Sequence, residues 1–162
     1  MVALPPEVVE LIKDKGTLKL LATTDEHGNP HAVVKGSLTV LDDGHLAYRE
    51  TLESSQTNSN LLRSIWFDKK VAVTIVGANR ESYQIKGKPY RYVINGSLYK
   101  EFYLAARERG GPDSELAGVW LIAPEEVRTQ SSKARKEEEE RKHPHVRHYD
   151  RAVYLSREQS PR

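Results

Sequence analysis

The sequence predicts a mainly β protein in which about six strands, mostly antiparallel, close into a small barrel with two or three short helices. Apolar stretches of strand length occupy residues 17–24, 31–41 and 45–50. Turn-forming residues at 25–30 and 42–44 separate them, which predicts two consecutive hairpins. An open sheet of this size leaves its edges unpaired, so closure into a barrel is the economical arrangement.

Three more strands are predicted further along the chain. The β-branched run at 71–76 is apolar throughout, which predicts a strand buried on both faces. Residues 83–94 and 118–122 are the other two strand-length stretches, and a polar segment is expected to start at residue 124.

Apolar spacing and helix-ending residues predict the helices. Pro5 and Pro6 are suited to open a helix that ends at Gly16, with one apolar face made by Val8, Leu11 and Ile12. A third helix is predicted at 98–109, with Ala105 and Ala106 facing inward and two glycines after it. Between these two helices, helical spacing is also found for Leu61, Leu62, Ile65 and Trp66.

Composition narrows the class of protein. A chain of 162 residues with 38% hydrophobic and 30% charged residues fits one globular domain. The net charge of +2 is too small to indicate binding to nucleic acid or to an anionic membrane. There is no cysteine, no apolar run near the roughly 20 residues of a membrane span, and no signal-peptide pattern at the start. A cytoplasmic location is therefore expected.

A charged extension follows the predicted barrel domain, which we place at residues 1–127. The extension, residues 128–162, contains a stretch at 133–142 that is almost free of apolar residues. This stretch is either a solvated helix, supported by pairs such as Glu138 with Lys142, or disordered. The histidines at 143, 145 and 148 suggest a metal site, but no carboxylate or cysteine completes it, so a solvated basic tail is favoured and no metal is predicted.

A polar segment at 54–60 separates a predicted strand from a predicted helix. Serine, threonine and asparagine are ordinary turn and cap residues, so an exposed loop with a helix cap is one interpretation. The other is an anion cradle, because hydroxyl and backbone N–H groups at the start of a helix are placed to hold a phosphate.

The surrounding motifs resemble those of the pyridoxamine 5′-phosphate oxidase-like flavin-binding split barrels. In that family a strand ends near a threonine, and a Ser-x-Lys element, a short helix and a further strand follow; residues 46–61 and 68–73 resemble this order. Residues 25–31 resemble the family's first turn, 83–88 a later strand that ends in glycine, and 119–127 its last strand. The resemblance covers roughly residues 8–127 and implies a six-stranded antiparallel split barrel of the FMN-binding type.

The resemblance also assigns the phosphate-binding residues. It implies that Ser54, Ser55, Gln56 and Thr57 contact the FMN phosphate, and that Asn60 either assists or only caps the helix. The basic residue usual in this element is missing, because Gln56 and Thr57 stand in its place. A charge-assisted hydrogen bond worth roughly 1.5–3 kcal/mol is then lost, unless a neighbouring cation replaces it; the candidates are Lys35, Arg49 and Arg63.

The remaining assignments concern the rest of the flavin. The strand formed by Val33, Val34 and Lys35 is expected to lie along the isoalloxazine ring, with its backbone facing the ring edge. Tyr48 and Thr51 are expected to line the ribityl chain.

The resemblance further implies a homodimer with the flavin at the interface, to which Trp120 is expected to contribute. The implied function is an FMN-dependent oxidoreductase acting on a small molecule, with no identifiable acid or base. The alternative is a non-catalytic module that binds or stores a flavin, a heme or a deazaflavin.

Overall fold

The structure is a computed structural model that describes residues 1–143. In this part of the chain, four helices and seven strands follow one another. They are α1 (Pro6–Lys13), β1 (Leu18–Thr24), β2 (Pro30–Val34), β3 (Thr39–Val40), β4 (Leu46–Glu50), α2 (Gln56–Trp66), β5 (Val71–Val76), β6 (Ser82–Val93), α3 (Gly96–Gly110), β7 (Gly118–Thr129) and α4 (Ser132–Lys142).

The seven strands form one sheet in the order β2-β1-β5-β6-β7-β4-β3, and every pairing is antiparallel. The two edge strands, β2 and β3, are consecutive in the chain and are joined by residues 35–38 alone. Because so short a connection joins the two edges, the sheet must curl until they approach each other. The predicted mainly β, antiparallel architecture is confirmed.

The number of strands differs from the prediction, seven rather than six. The stretch at 31–41 was expected to be one strand, but it divides into β2 and β3. The Leu38 N–H donates to the Lys35 carbonyl at 3.0 Å, which closes a turn around Gly36 and Ser37. This turn breaks the strand and lets the chain pass from one sheet edge to the other.

Two other strand predictions were wrong in detail. Strand β5 alternates between buried and half-buried side chains, so only the face with Val71, Val73 and Ile75 is buried, not both. Strand β7 continues to Thr129 instead of ending at 122, because β6 is long enough to pair with it as far as Thr129 opposite Tyr83.

The core lies inside the curled sheet, where α1 contributes Val8 and Ile12 as predicted. Its largest buried side chains are Trp120 and Tyr48. A second, smaller cluster on the other face of β4 and β7 is covered by α3, the helix predicted at 98–109. This helix ends where expected, since Gly111 follows it with a φ of 88°, a left-handed conformation that favours glycine.

Helix α2 buries a face that the apolar spacing did not predict. Of the four apolar residues with helical spacing, only Leu61 is buried, whereas Trp66 is 82% exposed. The buried side of the helix is mostly polar and consists of Thr57, Asn58, Asn60, Leu61 and Ser64.

The part of the extension that the structure describes contains the helix α4, with the expected ion pair between Glu138 and Lys142. Residues 145 and 148 of the suggested histidine site lie outside the described residues. Among residues 1–143 no group of histidines and carboxylates is arranged to hold a metal ion. No helix in the same range has the length and apolar character needed to cross a membrane.

Candidate functional site

The chain turns from β4 into α2 through residues 51–55, and a serine caps the helix. The Ser55 hydroxyl accepts a hydrogen bond from the Asn58 N–H at 3.0 Å, and the Ser55 N–H donates to the Leu52 carbonyl at 3.1 Å. The predicted helix cap is therefore present, and the Ser55 hydroxyl is engaged in it.

The capped helix presents donors that no described residue uses. The N–H groups of Gln56 and Thr57 open the helix and donate no hydrogen bond to any residue within 1–143. No acidic residue lies in the first turn, and the side chains of Thr51 and Ser54 are exposed beside it. Free N–H groups at the positive end of a helix dipole suit an anion such as a phosphate.

Asn58, which sequence analysis did not single out, ties this turn to the core. Its Oδ1 accepts from the Trp120 Nε1 at 2.9 Å, and its Nδ2 donates to the Glu53 carbonyl at 2.7 Å. Trp120 is fully buried and its ring centre lies 4.7 Å from that of Tyr92. The expected role of Trp120 at a dimer interface is not supported, because its side chain has no exposed surface.

Thr57 and Asn60 also point into the protein. Asn60 donates through Nδ2 to the Thr23 hydroxyl at 2.9 Å and accepts through Oδ1 from the Gln56 amide at 2.7 Å. The Thr57 hydroxyl lies 3.2 Å from the His31 Nε2. The side chains of Thr57 and Asn60 are only 2% exposed, so they hold α2 against β1 and β2 rather than reaching outward.

The three cations proposed to replace the missing lysine are directed elsewhere. Lys35 forms an ion pair with Glu50 at 2.9 Å, and Arg63 lies over the Phe67 ring and 3.5 Å from Glu26. Arg49 follows Tyr48 in β4 and therefore lies on the opposite face of the strand.

The basic side chain beside Thr57 is instead His31. It comes 26 residues earlier in the chain, and only the packing of α2 on β2 brings the two together. The sequence carries no local signal for this contact.

A buried carboxylate fixes the end of β4. Glu50 accepts through Oε2 from Lys35 at 2.9 Å and from the Tyr48 hydroxyl at 3.2 Å, and through Oε1 from the Thr51 N–H at 3.2 Å. The Lys35 ammonium also lies 4.7 Å from the centre of the Tyr48 ring.

Tyr48 acts in this cluster as a neutral donor. Burial, and next the nearby Glu50 carboxylate, raise the pKa of the Tyr48 hydroxyl far above its ordinary value. Its side chain is fully buried. The expected contact of Tyr48 with the ribityl chain is therefore not supported, whereas the exposed Thr51 keeps that possibility.

The edge strand β2 leaves backbone groups free. The Lys35 N–H donates to the Lys19 carbonyl at 2.8 Å. Val33, which comes two residues before Lys35, pairs with Leu21. Because bonding direction alternates along an antiparallel strand, the N–H and C=O of Val34 face the open edge. The Val34 side chain is 58% exposed.

An open cavity of about 720 Å³ adjoins the site. It begins at Thr51, Leu52 and Glu53 and is bounded on its other side by Tyr103 and residues 112–117.

Several solved structures share this fold. No family model matches the chain, and no curated protein matches it. Among solved structures, HupZ from Group A Streptococcus is 25% identical, with 80% of this chain and 95% of that chain covered and a TM-score of 0.66. A putative pyridoxamine 5′-phosphate oxidase from Lactobacillus delbrueckii is 28% identical, with 78% and 93% covered and a TM-score of 0.61.

More distant structures share the fold as well. An FMN-binding protein from Syntrophomonas wolfei is 12% identical, with 77% and 87% covered and a TM-score of 0.62. An F420 reductase and HutZ, the heme storage protein from Vibrio cholerae, also match, at 18% and 17% identity and TM-scores of 0.57 and 0.55.

The fold is thus the one that pyridoxamine 5′-phosphate oxidase-like and FMN-binding proteins share. The resemblance inferred from the motifs is confirmed at the level of the fold.

Proposed function

We propose that this protein is a split-barrel flavoprotein that binds FMN with the phosphate at the N-terminus of α2. One observation carries the proposal: the N–H groups of Gln56 and Thr57 are free, at the start of a helix whose cap is already satisfied. The exposed hydroxyls of Ser54 and Thr51 add neutral donors. The solved FMN-binding structure with the same fold supports the choice of cofactor.

The isoalloxazine ring would lie along the open edge of β2. Val34 supplies free backbone groups there for the polar ring edge, and the Lys35–Glu50 ion pair holds the end of the strand in place. Bound flavin would supply hydride or electron transfer, while the chain itself binds and orients the cofactor. We propose an oxidoreductase that acts on a small molecule.

We further propose that two copies associate through the outer face of β1 and β2. Leu18 and Val34 are 46% and 58% exposed on this face, and the edge of β2 is unpaired. Exposed apolar side chains beside an open strand edge are typical of association surfaces. A second subunit would then cover the flavin ring.

The second candidate is a module that binds a flavin, a heme or a deazaflavin without catalysing a reaction. The engagement of the cations favours it, because Lys35 is paired with Glu50 and Arg63 lies beside Glu26, so neither is a free partner for a phosphate. A doubly charged phosphate would be held by neutral donors, with His31 beside Thr57 as a basic group in contact with the helix start. The solved heme storage protein and F420 reductase show that this fold occurs with other ligands.

The phosphate site can be tested by replacing a single N–H group. Gln56→Pro removes the first free N–H of α2, and proline is well tolerated at the first position of a helix. Ser55 already has an extended ψ of 144°, which a following proline requires. Gln56→Ala is the matched control, because it removes the same side chain but keeps the N–H group.

We expect Gln56→Pro to bind FMN about tenfold more weakly than Gln56→Ala, with riboflavin affinity equal in the two variants. Quenching of flavin fluorescence measures both affinities. Equal FMN affinity in the two variants would contradict the phosphate site. No FMN binding by the unaltered protein would contradict the proposed cofactor.

Reduction of the bound flavin distinguishes an oxidoreductase from a storage module. Anaerobic addition of NADH or NADPH to the FMN-loaded protein should bleach the flavin absorbance if the protein is an oxidoreductase. A bound flavin that neither donor reduces would favour the storage module, and tighter binding of hemin or F420 than of FMN would favour a different ligand.

A further inference from the structure

A second cavity, of about 670 Å³, lies apart from the α2 site, between the end of α1, the start of β1, the connection from β2 to β3, and α3. Its volume is in the range of small-molecule sites. Part of its wall is apolar and is formed by Ile12, Leu38, Val40, Leu98 and Phe102. None of the eleven residues assigned to the flavin lines it.

A buried lysine without a partner lies in the wall of this cavity. Lys19 is only 6% exposed, yet its ammonium forms no hydrogen bond or ion pair with any residue in the described range 1–143. Asp14 and Arg109 act on it only at a distance, and burial lowers the pKa of the Lys19 ammonium. A buried charge is normally paired, because removing it from water costs free energy that a partner must offset.

With Lys19 included, five cationic and three acidic side chains line the cavity. Besides Lys19, the cationic side chains in its wall are Lys13, Lys15, Arg49 and Arg109. The acidic ones are Asp42, Asp43 and Glu101, and the Asp43 carboxylate lies 2.9 Å from the His45 ring. An excess of cations in a partly enclosed apolar space attracts an anion.

We propose that this cavity is a second ligand site, which binds a small organic anion with a carboxylate or phosphate head on an apolar body. Lys19 and Arg109 bind the head, and the apolar wall from α1, α3 and residues 36–41 holds the body. The ligand would supply the partner that Lys19 lacks. The inference does not depend on whether the α2 site binds FMN.

The glycine at the cavity wall offers a steric test that leaves the charges unchanged. A Cβ placed on Gly36 would meet no heavy atom within 4 Å, and its backbone is not left-handed. Gly36→Ile should therefore fill part of the cavity without a clash. Lys19→Met removes the charge and keeps the volume of the side chain, and Lys100→Met is the control, an exposed lysine on α3 outside the cavity wall.

The probes for isothermal titration calorimetry are sodium octanoate, octyl phosphate, inorganic phosphate and 1-octanol. We expect octanoate, octyl phosphate or both to bind the unaltered protein, and the tighter of the two identifies the head group. Lys19→Met and Gly36→Ile should each weaken that binding by about tenfold or more, and Lys100→Met should not change it. Octanol should bind weakly, and with the same affinity in the unaltered protein, Lys19→Met and Lys100→Met, because it has no anionic head.

A stability measurement separates a binding role from a structural one. Without ligand, Lys19→Met should melt at a higher temperature than the unaltered protein, since a mostly buried side chain loses an ammonium group that has no partner within residues 1–143. A lower melting temperature would mean that Lys19 stabilises the fold, which would overturn the proposal.

Four binding results would also overturn it. The first two are no binding of either amphiphile at millimolar concentration and unchanged binding in Lys19→Met. The third is inorganic phosphate binding as tightly as octyl phosphate. The fourth is displacement of bound FMN by octanoate, which would make the cavity part of the flavin site.

Discussion

At the scale of single residues, the buried Glu50 carboxylate holds together two residues that the resemblance assigns to the flavin, Lys35 and Tyr48. Its carboxylate pairs with Lys35 and accepts hydrogen bonds from the Tyr48 hydroxyl and the Thr51 N–H. The side chains of Glu50 and Lys35 are 4% and 14% exposed. Nothing local in the sequence marks Glu50 as buried, so the carboxylate that holds Lys35 and Tyr48 could not be predicted.

Glu50→Leu should destabilise the protein by about 3 kcal/mol, because it leaves the Lys35 ammonium buried without a partner. Urea denaturation followed by tryptophan fluorescence measures the free energy of unfolding. The double variant Glu50→Leu with Lys35→Met should recover most of the loss, since no buried charge then remains unpaired. A double variant no more stable than the single one would contradict this interpretation of the pair.

At the scale of elements, α2 shows how a helix can bury its polar side. Asn60 bonds to Thr23 of β1, Asn58 bonds to Trp120 of β7, and Leu61 fills the core between them. These bonds satisfy the buried amides, so the polar face carries little desolvation cost. The apolar side chains of Ile65 and Trp66 remain outside.

The two faces of α2 should therefore respond oppositely to truncation. Leu61→Ala should destabilise the protein by about 2–5 kcal/mol, because it opens a cavity in the core. Trp66→Ala, although it removes a much larger side chain, should change the free energy of unfolding by no more than about 0.5 kcal/mol. Thermal or urea unfolding of the dilute protein compares them, and an equal loss in both variants would place Trp66 in a buried contact.

At the scale of the whole molecule, the long β6–β7 pairing joins the two halves of the sheet, and one glycine permits it. The register shifts between Lys86 and Gly87, where the two backbones approach closely. A Cβ on Gly87 would clash with the Ala123 carbonyl oxygen, a backbone atom, so the two strands would have to shift apart. Only glycine fits at this position of the pairing.

Gly87→Ala should accordingly cost about 1–3 kcal/mol of stability through overpacking. Gly36→Ala is the matched control at the other end of the sheet, where an added Cβ meets nothing within 4 Å, and it should be close to neutral. Calorimetric melting of the two variants checks the contrast. Equal melting temperatures would show that β6 and β7 can separate there at no cost.

The sequence by itself determined the local features of this protein: the hairpins, the helices α1 and α3, the cap at Ser55 and the order of motifs that revealed the fold. Apolar periodicity and turn chemistry act over a few residues, so they can be read from the chain alone. The tertiary structure decided the rest: the break at Gly36, the buried face of α2, the pairing of Lys35 with Glu50, and the unpartnered Lys19. Each depends on which distant residues the strand register and helix packing bring together, and such contacts leave no local pattern in the sequence.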